Sequence, residues 1–167
     1  MAGLTAPPDN SVQTASRIIE ADGWFPGIDT ADIARTIRMG DGVVTDDRLQ
    51  EAAIAGILDG LRIMSDWRSK HALAGIANLE GVTDQEIAGE NAAVLHWRRM
   101  VKYFTAAHVL DGHTDVAATD EALDREEEKR STADMYRTKG YEAVSDLMAI
   151  GADEDGPGEG RNRVSLL

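Results

Sequence analysis

A long apolar stripe runs through residues 45–71, which read TDDRLQEAAIAGILDGLRIMSDWRSKH. The residues of the stripe recur at steps of three or four, as one face of a helix requires: Leu49, Ala53, Ile57, Leu61, Met64, Trp67 and His71. Ile54 and Leu58 widen the stripe. The pattern predicts one helix of about 30 residues, or about 45 Å.

The ends and the interior of this helix carry further signals. Thr45 is a suitable N-cap, and the acidic residues that follow it suit the positive end of a helix dipole. Gly75 and Gly81 mark its end. Gly56 and Gly60 lie four residues apart, where a second backbone can approach closely.

Three more helices are predicted around this one. A short helix begins at Asp29 or Thr30, and a longer one begins near Glu90. The longer helix has two semi-apolar faces, Val94, Trp97, Val101, Phe104 and His108 on one, and His96, Arg99, Tyr103, Ala106 and Leu110 on the other. Two such faces predict one inward surface and one that meets something else. The last helix covers residues 116–150.

The predicted fold class is all-α, a small bundle of about four helices spanning residues 29–150. An extended arm precedes it at residues 1–28, with a weak helical stretch at 11–21, and a flexible tail follows at 151–167. The tail contains four glycines and a proline, which suits a linker. Few aromatic residues and many alanines favour packed helices over a β-sandwich.

Composition excludes several classes of function. The chain has 167 residues and no cysteine, so disulfides, thiolate metal sites and thiol nucleophiles are ruled out. Its formal net charge of −13 is opposite to that of a free-standing nucleic-acid-binding protein. The longest apolar run, residues 52–58, is too short to span a bilayer. The first ten residues lack the basic head of a secretory signal, which predicts cytoplasmic synthesis.

No motif in the chain predicts a catalytic residue, a cofactor or a metal. The glycine-rich run at 156–160 follows nothing strand-like, so it fits a linker better than a phosphate loop. His108, Asp111 and His113 lie near one turn, where they fit either a metal site or the more ordinary role of histidines at an interface or in a core.

Two groups of aromatic residues are candidates for contacts. Trp24 and Phe25, followed by Pro26, must be buried either on the protein's own helices or on a partner. The second group is basic as well as aromatic and consists of Trp97, Arg98, Arg99, Lys102 and Tyr103. It fits internal packing with ion pairs, a protein–protein hot spot, or a platform for stacking nucleic-acid bases.

Several short motifs, taken in order, resemble the GpL family of head completion (head stabilisation) proteins of contractile-tailed temperate phages. They are colinear over residues 24–150: Trp24-Phe25-Pro26, Ile28-Asp29, Asp41-Gly42-Val43-Val44-Thr45 before Arg48-Leu49, Ser65-Asp66-Trp67-Arg68, Gly89-Glu90, Trp97-Arg98-Arg99 with Val101 and Tyr103, and Ser145-Asp146-Leu147. The chain departs from the family pattern at the turn of residues 112–115, in the acidic stretch and in the glycine-rich tail.

The resemblance implies a non-enzymatic part of the virion, made in the host cytoplasm. Such a protein would form a twelve-subunit ring beneath the portal protein, retain the packaged DNA and offer a docking surface to the neck or tail completion protein. Its partners would be the portal, copies of itself and that neck protein. DNA would pass nearby without specific binding, and no membrane would be involved.

Candidate residues follow for three regions of such a ring. Contacts with the portal or with other copies are expected at Trp24, Phe25, Pro26, Trp97, Arg98, Arg99 and Tyr103. The apolar end of the tail, Val164, Leu166 and Leu167, is expected either to add to a portal sheet edge or to be an ordinary flexible terminus. The acidic segment 115–128 is expected either to line or border the channel or simply to keep an exposed helix soluble; its acids are Asp115, Asp120, Glu121, Asp124, Glu126, Glu127 and Glu128.

Two other classes of function remain open from the sequence. A cytosolic acidic helical adaptor, or an inhibitor that mimics DNA, fits the net charge. A metal-dependent hydrolase requires a bound ion.

Overall fold

The computed structural model describes residues 16–37, 44–112 and 120–150, with only the backbone of residues 120–126. Its α-helices are α1 (Thr30–Thr36), α2 (Asp46–Ile63), α3 (Ser65–Leu73), α4 (Ala92–Asp111) and α5 (Asp120–Ala149). A 3₁₀ helix covers Leu79–Val82. Two short antiparallel ladders pair β1 (Ile18–Ile19) with β2 (Ile28–Asp29), and β3 (Glu86–Ile87) with β4 (Glu90–Asn91).

The predicted fold class needs correction in two respects. The described chain is mostly helical, as expected, but it contains five α-helices instead of about four, and the two ladders mean that it is not strictly all-α. The additional helix arises because the predicted helix of about 30 residues is broken at Met64, which separates α2 from α3. Met64 is fully buried, whereas no residue of α3 is buried. The break therefore falls at a buried residue, and α3 lies nearer the surface with Trp67 partly buried against the core.

Helix caps form where the sequence places them. The side chain of Asp29 accepts a hydrogen bond from the backbone N–H of Ala31 and caps α1. Thr45 caps α2 in the same way, and Asn91 caps α4 by accepting from two backbone N–H groups. The predicted starts of all three helices are confirmed.

Helix α4 lies at the centre of the core, with α2 and α5 packed against it. Gly56 and Gly60 of α2 lie against α4, where added Cβ atoms would come within 2.7 Å of Thr105 Oγ1 and 2.8 Å of the Trp97 ring. This confirms the close approach that their spacing predicts. Gly140 of α5 likewise permits a close approach to α4, because an added Cβ would clash with the Phe104 ring.

The described part of the arm, residues 16–28, packs on the helices. Residues 18 and 19 form β1 and not the weak helix expected there, because they pair with β2. Phe25 and Ile28 are buried in the core. Trp24 donates a hydrogen bond from Nε1 to the Ile76 carbonyl at 3.1 Å, which ties this segment to the loop after α3. The tail lies outside the described residues.

Asp22 organises the turn that inserts the two rings of the arm. Its Oδ1 accepts hydrogen bonds from the backbone N–H groups of Trp24 (3.1 Å) and Phe25 (2.9 Å). Its Oδ2 lies 2.7 Å from Arg68 Nη1 on α3. One carboxylate therefore fixes the turn and links it to the bundle.

Replacing Asp22 with alanine should lower the free energy of unfolding by about 1–2 kcal/mol, because two backbone donors lose their acceptor. Urea denaturation followed by tryptophan fluorescence measures the change. Asp22→Asn keeps an acceptor oxygen without the charge and should lose less. Equal losses for the two variants would contradict the assigned role of the two backbone hydrogen bonds.

Candidate interaction surfaces

Three of the aromatic residues predicted to contact partners lie inside the protein. Trp24 and Phe25 are buried, and Trp97 has 0% of its surface exposed. Trp97 stacks on Phe25 at 4.2 Å between ring centroids and donates from Nε1 to the Pro26 carbonyl at 3.0 Å. These rings hold the arm on the bundle, and their role in contacts with partners stays a prediction.

The remaining predicted contact residues of this region lie nearer the surface. Pro26 is half-buried, and its carbonyl is occupied by Trp97. Arg98 is exposed and pairs with Glu90 at 2.7 Å, across the start of α4. Val164, Leu166 and Leu167 lie outside the described residues.

Arg99 and Tyr103 belong to a larger surface feature, the basic–aromatic patch, formed by Arg99, Lys102, Tyr103, Tyr136 and Lys139. The rings of Tyr103 on α4 and Tyr136 on α5 stack with centroids 6.1 Å apart. The Lys102 and Lys139 ammonium groups lie 6.0 and 5.6 Å from the Tyr103 ring centroid. Lys139 is also 5.9 Å from the Tyr136 ring. These separations are in the range of cation–π attraction.

The cations of the patch differ in their partners. Arg99 Nη1 lies 3.3 Å from Asp146 Oδ2, and the ring of His96 lies 4.0 Å from the same oxygen. Among the described residues, no carboxylate lies within 4 Å of the ammonium groups of Lys102 or Lys139. The patch therefore presents two positive charges beside two phenol rings, on a protein whose net charge is −13.

Sequence reasoning found the half of the patch on α4 and missed the half on α5. Tyr136 and Lys139 are three residues apart, a spacing that places them near one another on a helix. Their proximity to Tyr103 depends on how α5 pairs with α4, which spacing within one helix does not determine. The sequence of each helix shows its own half of the patch, but it does not show that the two halves meet.

The first part of α5 forms an acidic extension, defined as residues 120–132. Glu127 and Glu128 are exposed, and the first buried side chain described in α5 is that of Ala133. The side chains of Asp120, Glu121, Asp124 and Glu126 lie outside the description, as does Asp115 entirely. The backbone nevertheless continues as a helix from Asp120.

Two apolar residues at the edge of the stripe on α2 are exposed. Ile54 and Leu58 of α2 have 42% and 61% of their surface accessible. The close contact that Gly56 and Gly60 make with α4 does not cover them. On α5, Tyr141 is exposed as well.

A carboxylate–imidazole pair joins α2 to α4. Asp59 Oδ2 lies 2.8 Å from His108 Nε2, and Arg62 approaches the other oxygen at 3.2 Å. Burial tends to raise the pKa of Asp59, but the hydrogen bonds from His108 and Arg62 outweigh it and hold the pKa below its ordinary value of 3.8. The folded protein therefore favours the ionised carboxylate.

The Asp59–His108 pair should make the stability of the folded protein slightly sensitive to acid. Because the pKa of Asp59 is lowered on folding, the pair stabilises the protein above pH 3.8 and loses its contribution as the pH falls below that value. The melting temperature should therefore fall less between about pH 5 and about pH 3 in Asp59→Asn than in the parent protein. The difference should be modest, since about a third of each side chain is exposed. Parallel melting curves for the two proteins would contradict this role.

No described helix combines the length and the hydropathy needed to cross a bilayer. Within residues 16–37, 44–112 and 120–150, no group of three or more histidine and acidic residues is placed to hold a metal ion.

One comparison with known proteins gives a match. No match is found among curated proteins or among solved structures. The family model described as phage head completion protein (GPL) matches residues 19–152, which is well over half of the chain and includes every described α-helix. The chain therefore belongs to the phage head completion protein (GPL) family.

Proposed function

We propose that this protein completes the DNA-filled head as a ring bound below the portal, where it retains the genome and receives the neck or tail. Membership of the head completion family supports a structural role in the virion and contacts with other head or tail proteins. The ring, its place and its partners are the parts that we propose.

The arrangement of α2 and α5 around α4 is the observation that carries the proposal. Each outer helix buries one side on α4 and leaves a different surface facing outward. On α2 this surface contains Ile54 and Leu58, and on α5 it contains Tyr141 and the basic–aromatic patch. A closed ring needs two unlike surfaces on each subunit, because the contact is repeated head to tail around the axis.

The charge of the chain supports passage of DNA through such a ring. Each copy contributes a net charge of −13, and residues 115–128 contain seven acidic residues and one arginine. We propose that this acidic segment borders the channel and repels phosphate groups. The repulsion acts over about 8 Å at physiological salt, so only residues close to the DNA contribute.

The apolar end of the tail is the proposed contact with the portal. Val164, Leu166 and Leu167 follow a glycine-rich stretch that gives them reach. Such a segment can add as a strand to an exposed sheet edge. Ordering on contact would make the interaction depend on an assembled portal.

A phage that lacks only this protein tests the proposal. Its heads should package DNA and then lose it, and they should carry no tails, because the vertex is neither sealed nor able to receive the neck. DNA retention is measured by nuclease sensitivity of purified filled heads, and tail attachment is measured by electron microscopy. Supplying the protein from a plasmid should restore both. Filled heads that remain nuclease-resistant and tailed in its absence would contradict the proposal.

A further inference from the structure

We propose that the outward face of α2 in one copy docks on the basic–aromatic patch of a second copy. The inference rests on the proposed ring and names the two surfaces that meet between its subunits. Because the contact joins unlike surfaces of identical chains, it repeats from copy to copy around a ring.

The outward face of α2 is the line of side chains opposite its contact with α4. Four exposed residues form this face at steps of three or four: Asp47, Glu51, Ile54 and Leu58. The buried side of α2, which includes Gly56, is turned towards α4. The outward face therefore begins with two acids, continues with two aliphatic side chains, and is left exposed by its own chain.

The two acids of this face have no cation beside them. Among the described residues, no Lys, Arg or His nitrogen lies within 4 Å of the Asp47 or Glu51 carboxylate. Arg48 has an interaction of its own and lies about 100° round the helix from Asp47. Arg62, near the far end of the face, pairs with Asp59 at 3.2 Å. The face therefore offers two negative charges to a partner.

The patch offers the complementary charges. The ammonium groups of Lys102 and Lys139 lie 6.0 and 5.6 Å from the Tyr103 ring centroid, so both charges border the same ring. No carboxylate of the described residues lies within 4 Å of either group. Asp47 and Glu51 are about one turn apart, or about 6 Å along α2. Two acids at this spacing can meet two lysines around one ring.

Apolar surface is present on both sides of the contact. Ile54 and Leu58 have 42% and 61% of their surface exposed. On α5, Met135 is 44% exposed and directly precedes Tyr136, whose ring stacks on that of Tyr103. Tyrosine and methionine are enriched in protein interfaces, where they supply contact area. Two aliphatic side chains beside two acids therefore meet two rings and a methionine beside two lysines.

The two surfaces cannot meet within one chain. Gly56 of α2 lies against Thr105 of α4, and Gly140 of α5 lies against Phe104 of α4, so both outer helices pack on α4. The outward face of α2 is turned away from α4, whereas the patch lies where α4 meets α5. A contact between them therefore requires a second copy, and each copy carries one of each surface.

The composition of the patch favours a copy of this chain over DNA as the occupant. Lysines beside aromatic rings can also receive phosphate groups and bases. The net charge of −13 opposes both occupants. The α2 face brings aliphatic side chains as well as carboxylates, so it alone matches both the lysines and the exposed Met135.

A charge-swap experiment tests the contact in the full-length protein. One variant carries Lys102→Glu and Lys139→Glu, and the other carries Asp47→Lys and Glu51→Lys. Sedimentation equilibrium at low salt should show self-association of the parent protein, weakened about tenfold or more in each variant alone. An equimolar mixture should recover the association, because every surface then meets its opposite charge in the other variant. Lys70→Glu, on the exposed surface of α3, is the charge control and should leave association unchanged.

Two exposed leucines test the apolar part of the contact. Leu58→Gln removes an aliphatic side chain from the outward face without changing the charge, and it should weaken association about tenfold. Leu73→Gln makes the same change at the end of α3, where the side chain is 89% exposed and outside the contact, and it should have no effect. Circular dichroism of every variant establishes that the helices are intact.

Cross-linking identifies the surfaces in the unmutated protein. A zero-length carbodiimide reagent should join Lys102 or Lys139 to Asp47 or Glu51. Mixing isotopically labelled with unlabelled protein should show that the joined peptides come from different copies. This readout does not depend on how well any variant folds.

Four results would overturn the contact. They are a parent protein that stays monomeric and uncrosslinked at millimolar concentration, a mixture that associates no better than its components, equal effects of Leu58→Gln and Leu73→Gln, and binding of duplex DNA that is lost when the two lysines are reversed.

Complementation of heads that lack the protein separates this contact from the proposed function. Each charge-reversed variant alone should fail to restore DNA retention and tails, whereas the two supplied together should restore both. If a variant that does not associate restores both alone, the contact is wrong and the proposed function stands. If heads without any copy of the protein keep their DNA and tails, the proposed function is wrong whatever the copies do in solution.

Discussion

Replacing Gly56 with alanine should lower the free energy of unfolding by about 2–3 kcal/mol. An added Cβ would lie 2.7 Å from Thr105 Oγ1 and 3.0 Å from both Thr105 N and Val101 O. The last two are backbone atoms of α4, so relief requires the two helices to move apart. In an exposed helix the same substitution stabilises a protein by about 1 kcal/mol, so the sign of the effect is itself informative.

Gly112 provides the matched control. It follows α4 with a φ of −73°, and an added Cβ would meet only backbone oxygens at 3.5 Å or more. Gly112→Ala should therefore be neutral or slightly stabilising. Urea denaturation of both variants measures the difference. A Gly56→Ala protein as stable as the parent would contradict the close packing of α2 on α4.

Replacing Trp97 with alanine should cost about 3–5 kcal/mol, the largest effect expected from one side chain in this protein. Trp97 is fully buried, stacks on Phe25 and donates to the Pro26 carbonyl. Its loss leaves a cavity where α4 packs against the arm, and it removes the contacts that hold the arm on the bundle. Chemical denaturation gives the energy, and amide hydrogen exchange of residues 16–28 should rise well above that of α4.

Two further substitutions separate the contributions of Trp97. Trp97→Phe keeps much of the volume but loses the hydrogen bond, so it should cost less than the alanine variant while still exposing the Pro26 carbonyl. Trp67→Ala removes a half-buried indole from α3 and should cost less than Trp97→Ala. Equal costs for Trp67→Ala and Trp97→Ala would contradict the deeper burial of Trp97 in the core.

The sequence predicted the helices better than their junctions. The caps at Asp29, Thr45 and Asn91 were predictable because each is a local hydrogen bond between a side chain and the next turn. The break at Met64 was not, because the apolar spacing continues through it into α3. Met64 makes no side-chain cap hydrogen bond, so no local signal marks the break. The pairing of β1 with β2 likewise depends on chain contacts across the arm.

The candidate surfaces show the same division between local and tertiary information. Aromatic residues next to arginines suggest contact residues, but Trp97 is fully buried whereas Arg99 and Tyr103 are half-buried. Helical spacing alone does not tell which of two semi-apolar faces is the inner one. An apolar stripe has no sharp edge in a sequence, so the exposure of Ile54 does not follow from spacing either. The matching half of the patch on α5 required the helix pairing itself.

Family membership and structure bear on different parts of the account. The GPL family supports head completion, and the colinear motifs that suggested it include Trp24 and Trp97, which form part of the buried core. Trp24 and Trp97 thus both belong to the motifs of the family and stabilise the fold. The surfaces that would carry the function are the basic–aromatic patch, the acidic extension and the exposed side of α2.

The most direct test of the central claim is an asymmetric cryo-electron microscopy reconstruction of the portal vertex in filled heads, with and without this protein. The account predicts a ring of helical density immediately below the portal, present only when the protein is supplied and accommodating the α2–α4–α5 core in every subunit. Identical density at that vertex in heads that lack the protein, or its location elsewhere on the capsid, would contradict the account.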